Sequence, residues 1–137
     1  MIKQRKPDWQ ERLQDAFKNA RSFDFQYGTR DCALFCCYCV DAMTGSNTAV
    51  QVKDKFKWKN KIDAFRLISA RPLLELTTDV LGVPAVAGDC MAGDVMLIKH
   101  DNECLLAMHE GHMAVCLSDV GVIQLPLSQA LCGWRIQ

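Results

Sequence analysis

The feature that most constrains this chain is a change of hydrophobic period at Gly88. Upstream of it, apolar residues recur at helical spacing; downstream they fall into short Val, Ile and Leu runs separated by turn residues. Helices first and hairpin-spaced strands second predict an α+β domain with an antiparallel sheet. The 137 residues, half of them apolar, suit a single domain spanning 1–137, and a chain of that size can bury a core without disulfide or metal staples.

In the upstream part, Asp8 is placed to cap a helix through Trp9, Leu13, Ala16 and Phe17, whose spacing puts the apolar groups on one face. Asp31 is an N-cap candidate for a second helix, from about Cys32 to Met43, which shows almost no polar face before Asp41. Such a helix belongs in the centre of a fold. Gly45 supplies its left-handed stop, and two further helices are expected over Lys61 to Ala70 and Leu73 to Leu81. Downstream, strands are expected at about Val95 to Lys99, Cys104 to Met108, His112 to Leu117, Val122 to Leu125 and Gly133 to Ile136. Ser118-Asp119-Val120-Gly121 turns a hairpin between the third and fourth.

Sixteen basic residues balance sixteen acidic ones, which argues against a general electrostatic grip on nucleic acid or an anionic membrane. The balance is uneven along the chain: residues 1–70 carry 13 basic and 8 acidic groups, residues 71–137 carry 3 and 8. Much of the excess lies in Lys53, Lys55, Lys57, Lys59 and Lys61, alternating around Phe56 and Trp58. An extended strand would show one basic face there, able to bind single-stranded nucleic acid by charge and stacking; the alternative is a solvated loop whose two aromatics plug into the core. The first thirty residues hold no apolar run resembling a signal peptide, and no stretch is long enough to span a bilayer. The expected setting is the cytoplasm, where the eight cysteines stay reduced. Cys36, Cys37 and Cys39 crowd one stretch without a second cysteine pair, which argues against structural zinc, and no cofactor is implied.

A cysteine opening a helix is a candidate nucleophile, because the helix terminus and a nearby imidazole both favour thiolate. Cys32 fits that description. Of the three histidines, His112 is the preferred base, since it opens a strand whose end can meet a helix N-terminus; His100 sits by a turn and His109 could lie in the next. His109 and His112 are three apart, so the metalloprotease helix signature fails. Gln124, twelve positions beyond His112 on the following strand, has an amide oxygen able to orient the imidazole, or it is an ordinary outward-facing strand residue.

Gly28-Thr29-Arg30-Asp31-Cys32-Ala33-Leu34-Phe35 resembles the nucleophile motif of NlpC-like cell-wall cysteine peptidases. Ala92-Gly93-Asp94-Val95-Met96-Leu97-Ile98 is similar to that family's Gly-Asp-leading first strand, and His112-Met113-Ala114-Val115-Cys116-Leu117-Ser118-Asp119 to its histidine strand. The three motifs come in the family's order, over about Phe25 to Gln124. Asp8-Trp9 and Trp134-Arg135-Ile136 further resemble a phage-borne, tail-associated branch. The resemblance implies a papain-like fold in which Cys32 attacks an amide carbonyl, His112 shuttles the proton and Gln124 orients it, with Tyr27 and Asp31 bordering the pocket. It implies a peptidoglycan stem peptide as substrate and other phage tail proteins as partners. Two departures are plain: Ala33-Leu34 stands where wall peptidases usually have Ser-Gly, and Gln124 where they have His or Asn. A non-hydrolytic tail component that keeps the fold is the alternative reading, and a polyanion binder through Lys53 to Lys61 a further one.

Overall fold

The helix Cys32–Thr44 (α2) has apolar residues all round because every residue of it is buried or half-buried. The computed structural model describes residues 2–137. In it, one side of α2 packs with Trp9–Ala20 (α1) on a sheet. The other side meets Thr48–Phe56 (α3), Lys61–Ala70 (α4) and Leu73–Leu81 (α5) through a cluster centred on Leu34, Val52, Trp58 and Ala64. The sheet follows as Val95–His100 (β1), Glu103–His109 (β2), Met113–Ser118 (β3), Gly121–Pro126 (β4) and Ala130–Trp134 (β5). Its spatial order is β4-β3-β2-β1-β5, and every pairing is antiparallel.

The expected α+β architecture is therefore present, with the expected hairpin pairing Ser118 to Gly121. Strand alternation divides β1 cleanly. Val95 and Leu97 face α1 and α2, while Met96 and Ile98 face the opposite side, under Ala87, Cys90 and Leu127. Both faces are covered, so all four residues are buried. The β1–β2 connection is a two-residue turn at Asp101 and Asn102, both with positive φ; Asp and Asn tolerate that region, and the turn's twist matches the flanking strands.

Three details depart from the sequence reading. Asp8 stands at the start of α1, but its carboxylate accepts from the Arg12 side chain at 2.8 Å instead of a helix N–H. The last strand is Ala130–Trp134, displaced from the expected Gly133 to Ile136. Most consequential, the lysine-rich stretch is neither an extended strand nor a loop throughout, because Thr48–Phe56 is helical. Residues two apart on a helix point about 200° apart, so Lys53 and Lys55 cannot share one face. Lys57 then ends α3 in the left-handed conformation, and Trp58 turns into the core as the plugging alternative requires.

The chain termini meet at Asp94, which is wholly buried. Its Oδ1 accepts from Arg5 Nη2 at 2.9 Å and from the Ile136 N–H at 2.9 Å. Its Oδ2 accepts from the Met91 N–H at 2.9 Å and forms an ion pair with Arg135, whose Nε lies 2.9 Å away. Arg5 also donates to the carbonyls of Ala92 and Ile136 and lies 4.2 Å over the Trp9 ring. Burial pushes the Arg5 guanidinium below its ordinary pKa, and the Asp94 carboxylate pulls it back up. Gly93, at φ +90°, passes so close to that guanidinium that a Cβ would stand 2.6 Å from Arg5 Nη1. The Gly-Asp and Trp-Arg-Ile motifs thus form one latch. Removing one side of a buried ion pair strands the other, at about 3–5 kcal/mol. Asp94→Ala should lower unfolding stability by that amount in urea titrations, whereas Asp8→Ala, whose Arg12 pair is exposed, should leave the urea midpoint almost unchanged.

Candidate functional site

Asp31 decides how the segment before α2 is held. It is buried, and its Oδ1 accepts the Leu34 N–H at 3.0 Å, the N-cap bond expected from sequence. Its Oδ2 accepts two more donors, the Gly28 N–H at 2.9 Å and Trp58 Nε1 at 2.7 Å. The loop Gly28–Asp31 is thereby tied both to the helix it precedes and to the segment between α3 and α4. Gly28 is required twice over. Its φ is +82°, and a Cβ would lie 2.7 Å from the Trp58 carbonyl oxygen.

Cys32 follows at the first turn of α2, on the wall of a cleft of about 890 Å3. The walls are α2, α3, α4 and α5 on one side and the β1–β2 and β3–β4 turns on the other. Tyr27 and Asp31 line the same cleft. The Tyr27 ring packs edge-on against Phe25 at 4.9 Å, and burial, with the nearby Cys32, Asp119, Glu103 and Asp31, pushes its hydroxyl above the ordinary tyrosine pKa.

The backbone N–H groups of Leu106, Ala33 and Cys32 itself lie close enough to the Cys32 sulfur to pull its pKa down. Those donors favour thiolate, yet desolvation outweighs them and Asp31 adds to it, so the thiol is pushed up to about 11. An adjacent imidazolium would act in the opposite sense, and the register shows where the imidazoles are. Met108 pairs with Val115. Leu106, beside the sulfur, lies two residues from that rung in one direction; His112 lies three residues from it in the other. At ~3.4 Å per residue the separation is about 17 Å. Gln124 pairs with Val115, about 10 Å along the sheet from His112. The structure does not bring Cys32, His112 and Gln124 together, and neither His112 nor Gln124 lines the cleft.

The other two histidines divide between the ends of the sheet. His109 is buried beside Asp94, its Nδ1 accepting the Gly111 N–H at 3.0 Å, and burial lowers its pKa below the ordinary value. His100 does line the cleft, with Nε2 3.3 Å from Asp101 Oδ2. Leu97 pairs with Leu106, which puts His100 three residues, about 10 Å, beyond the level of Cys32. Trp58 is the site residue that sequence reasoning missed as a partner of Asp31. Its burial is one of the two expectations for the lysine-rich stretch, but nothing local links it to a carboxylate 27 positions away.

Together these features define an α+β domain with a helix-opening cysteine on a largely apolar cleft. The chain belongs to a domain family described as a domain of unknown function (DUF6950), whose model matches residues 4–136. No curated protein and no solved structure matches it. Among the described residues, no helix is long and apolar enough to cross a membrane.

Two measurements follow from this geometry. Alkylation should label Cys104, the exposed cysteine, first at pH 7.5. Cys32 labelling should climb about tenfold per pH unit toward about 11, since at pH 8 only about one thiol in a thousand is ionised at that pKa. A labelling curve for Cys32 centred below pH 8 would contradict the burial assigned to it. Trp58→Phe keeps an aromatic ring there but removes the indole N–H and part of the buried volume; loss of the donor to Asp31 alone should cost about 1–3 kcal/mol of stability, and Cys32 labelling should quicken.

Proposed function

We propose that this is a phage-tail-associated domain of the NlpC-like, papain-like type, whose cleft binds its ligand without hydrolysing an amide bond. The observation that supports the reading is strand register: Leu106, near Cys32, and His112 lie on opposite sides of the Met108–Val115 rung, and His112 does not line the cleft; burial of the thiol acts in the same direction. Thiol acyl transfer needs a base within hydrogen-bond reach of the sulfur, and the His112 position about 17 Å away does not supply one. The tail association rests on the resemblance at Asp8-Trp9 and Trp134-Arg135-Ile136. The latch gives those residues a structural reason to occur together: Trp9 stacks on Arg5, and Arg135 and the Ile136 N–H bind Asp94. Other tail proteins are the partners this reading implies.

A second reading is the cysteine peptidase or amidase acting on peptidoglycan stem peptides. One observation favours it: His100, with Asp101 beside it, shares the cleft with Cys32. Hydrolysis would then require the β1–β2 turn to move inward by several ångströms, and His100 would replace His112 as the base.

The discriminating experiment is incubation of purified protein with a D-glutamyl-diamino acid stem peptide, followed by mass spectrometry. The non-hydrolytic reading expects no product from wild type, Cys32→Ala, His100→Ala or His112→Ala. Cleavage abolished by Cys32→Ala and by His100→Ala, with His112→Ala unaffected, would establish the second reading. Cleavage lost in His112→Ala would overturn the geometry of both.

A further inference from the structure

The cleft has a chemical asymmetry that neither reading uses. Sixteen lysines and arginines are distributed over the chain, and among the described residues none lines it; its acidic side chains are Asp31, Asp101, Glu103 and Asp119, and His100 is the one basic side chain among the described lining residues. Asp31 is already satisfied by three N–H donors, but Asp101, Glu103 and Asp119 are exposed at the two turns that frame the opening. All three lie on the turn side. On the helical side the wall is apolar, and Phe65 and Ile68 of α4 remain about half exposed there, at 52% and 45%. Clefts that bind small ligands are of this kind: 300–1,000 Å3, apolar, with a few convergent polar groups that set orientation.

We propose that the cleft is a binding site for a cationic amphiphile, its apolar body against α3, α4 and α5 and its protonated amine at Asp101, Glu103 and Asp119. The two ends of the ligand are recognised by different physics. Withdrawal of the apolar body from water covers Phe65 and Ile68 and is insensitive to salt. Contact of the amine with three carboxylates at the rim depends on ionic strength and discriminates by sign of charge. An anionic head group of the same length would meet like charge at the same place. The inference concerns ligand class alone and holds whether or not an amide bond is ever cut.

Titration calorimetry of the intact chain at pH 7, with decylamine, decanol and decanoate below their aggregation concentrations, tests it. Decylamine should bind about tenfold or more tightly than decanoate, a preference worth about 1.4 kcal/mol, with decanol between them. The triple variant Asp101→Asn, Glu103→Gln, Asp119→Asn, all at exposed positions, should abolish the preference and leave decanol affinity unchanged. Cys104→Trp, an exposed substitution at the mouth, should weaken all three ligands. Equal binding of decylamine and decanoate to the wild type would overturn the proposal. So would a decylamine affinity that Cys104→Trp leaves unchanged, since binding would then lie on the outer carboxylates alone. Both results are independent of stem-peptide cleavage.

Discussion

The buried carboxylate of Asp94 holds the domain closed. A wholly buried carboxylate is tolerable only if its oxygens are paired, and here two arginines and two backbone N–H groups do so. These partners come from the N-terminal segment, the turn before β1 and the C-terminal segment. One side chain thus joins regions more than 130 residues apart, and Arg5 extends the join to the carbonyls of Ala92 and Ile136. The sheet, and the seat it offers α1 and α2, is fixed in place by that closure.

Asp31 performs the same service for the cleft on a smaller scale. No cation neutralises it directly; three N–H donors do the work, one from α2, one from Gly28 and one from Trp58. The consequence reaches the cysteine. By fixing the start of α2 against β2, Asp31 holds Cys32 half-buried on the cleft wall, its sulfur near the N–H of Leu106. Helix-terminal N–H groups alone would lower the thiol pKa, but burial and the Asp31 charge prevail and push it up to about 11. Position at a helix start and burial thus act in opposite senses on the same thiol.

The arrangement of the cleft separates what a cysteine-peptidase motif implies from what this fold assembles. Asp31, Cys32 and Tyr27 gather on the cleft wall, while His112 and Gln124 lie elsewhere on the sheet. The divergence has a simple origin in strand geometry. The sulfur lies level with one end of β3, and His112 precedes the other end; a strand of that length cannot offer both ends to one atom. The cleft that remains is apolar on its helical side and acidic at its rim.

The sequence by itself determined the elements whose causes are local. The all-apolar run Cys32 to Met43, its Asp31 cap, its Gly45 stop, the helices ending at Ala70 and Leu81, and the hairpin at Asp119-Val120 each rest on residues within a few positions of one another. The helix Thr48–Phe56 was illegible for the opposite reason. Its first N–H groups are capped from α2, by Asp41, which accepts from Thr48 and Ala49, so alternating lysines and Val52 suggested a strand or a loop. Trp58 as the partner of Asp31, Arg5 and Arg135 as partners of Asp94, and the separation of His112 from Cys32 were likewise decided only by tertiary structure. Each depends on the register and packing of segments distant in sequence, and a motif's order along the chain constrains that very little. Residue type and spacing identified the thiol and its cap; where the imidazoles stand relative to it was set by which end of each strand the core had to bury.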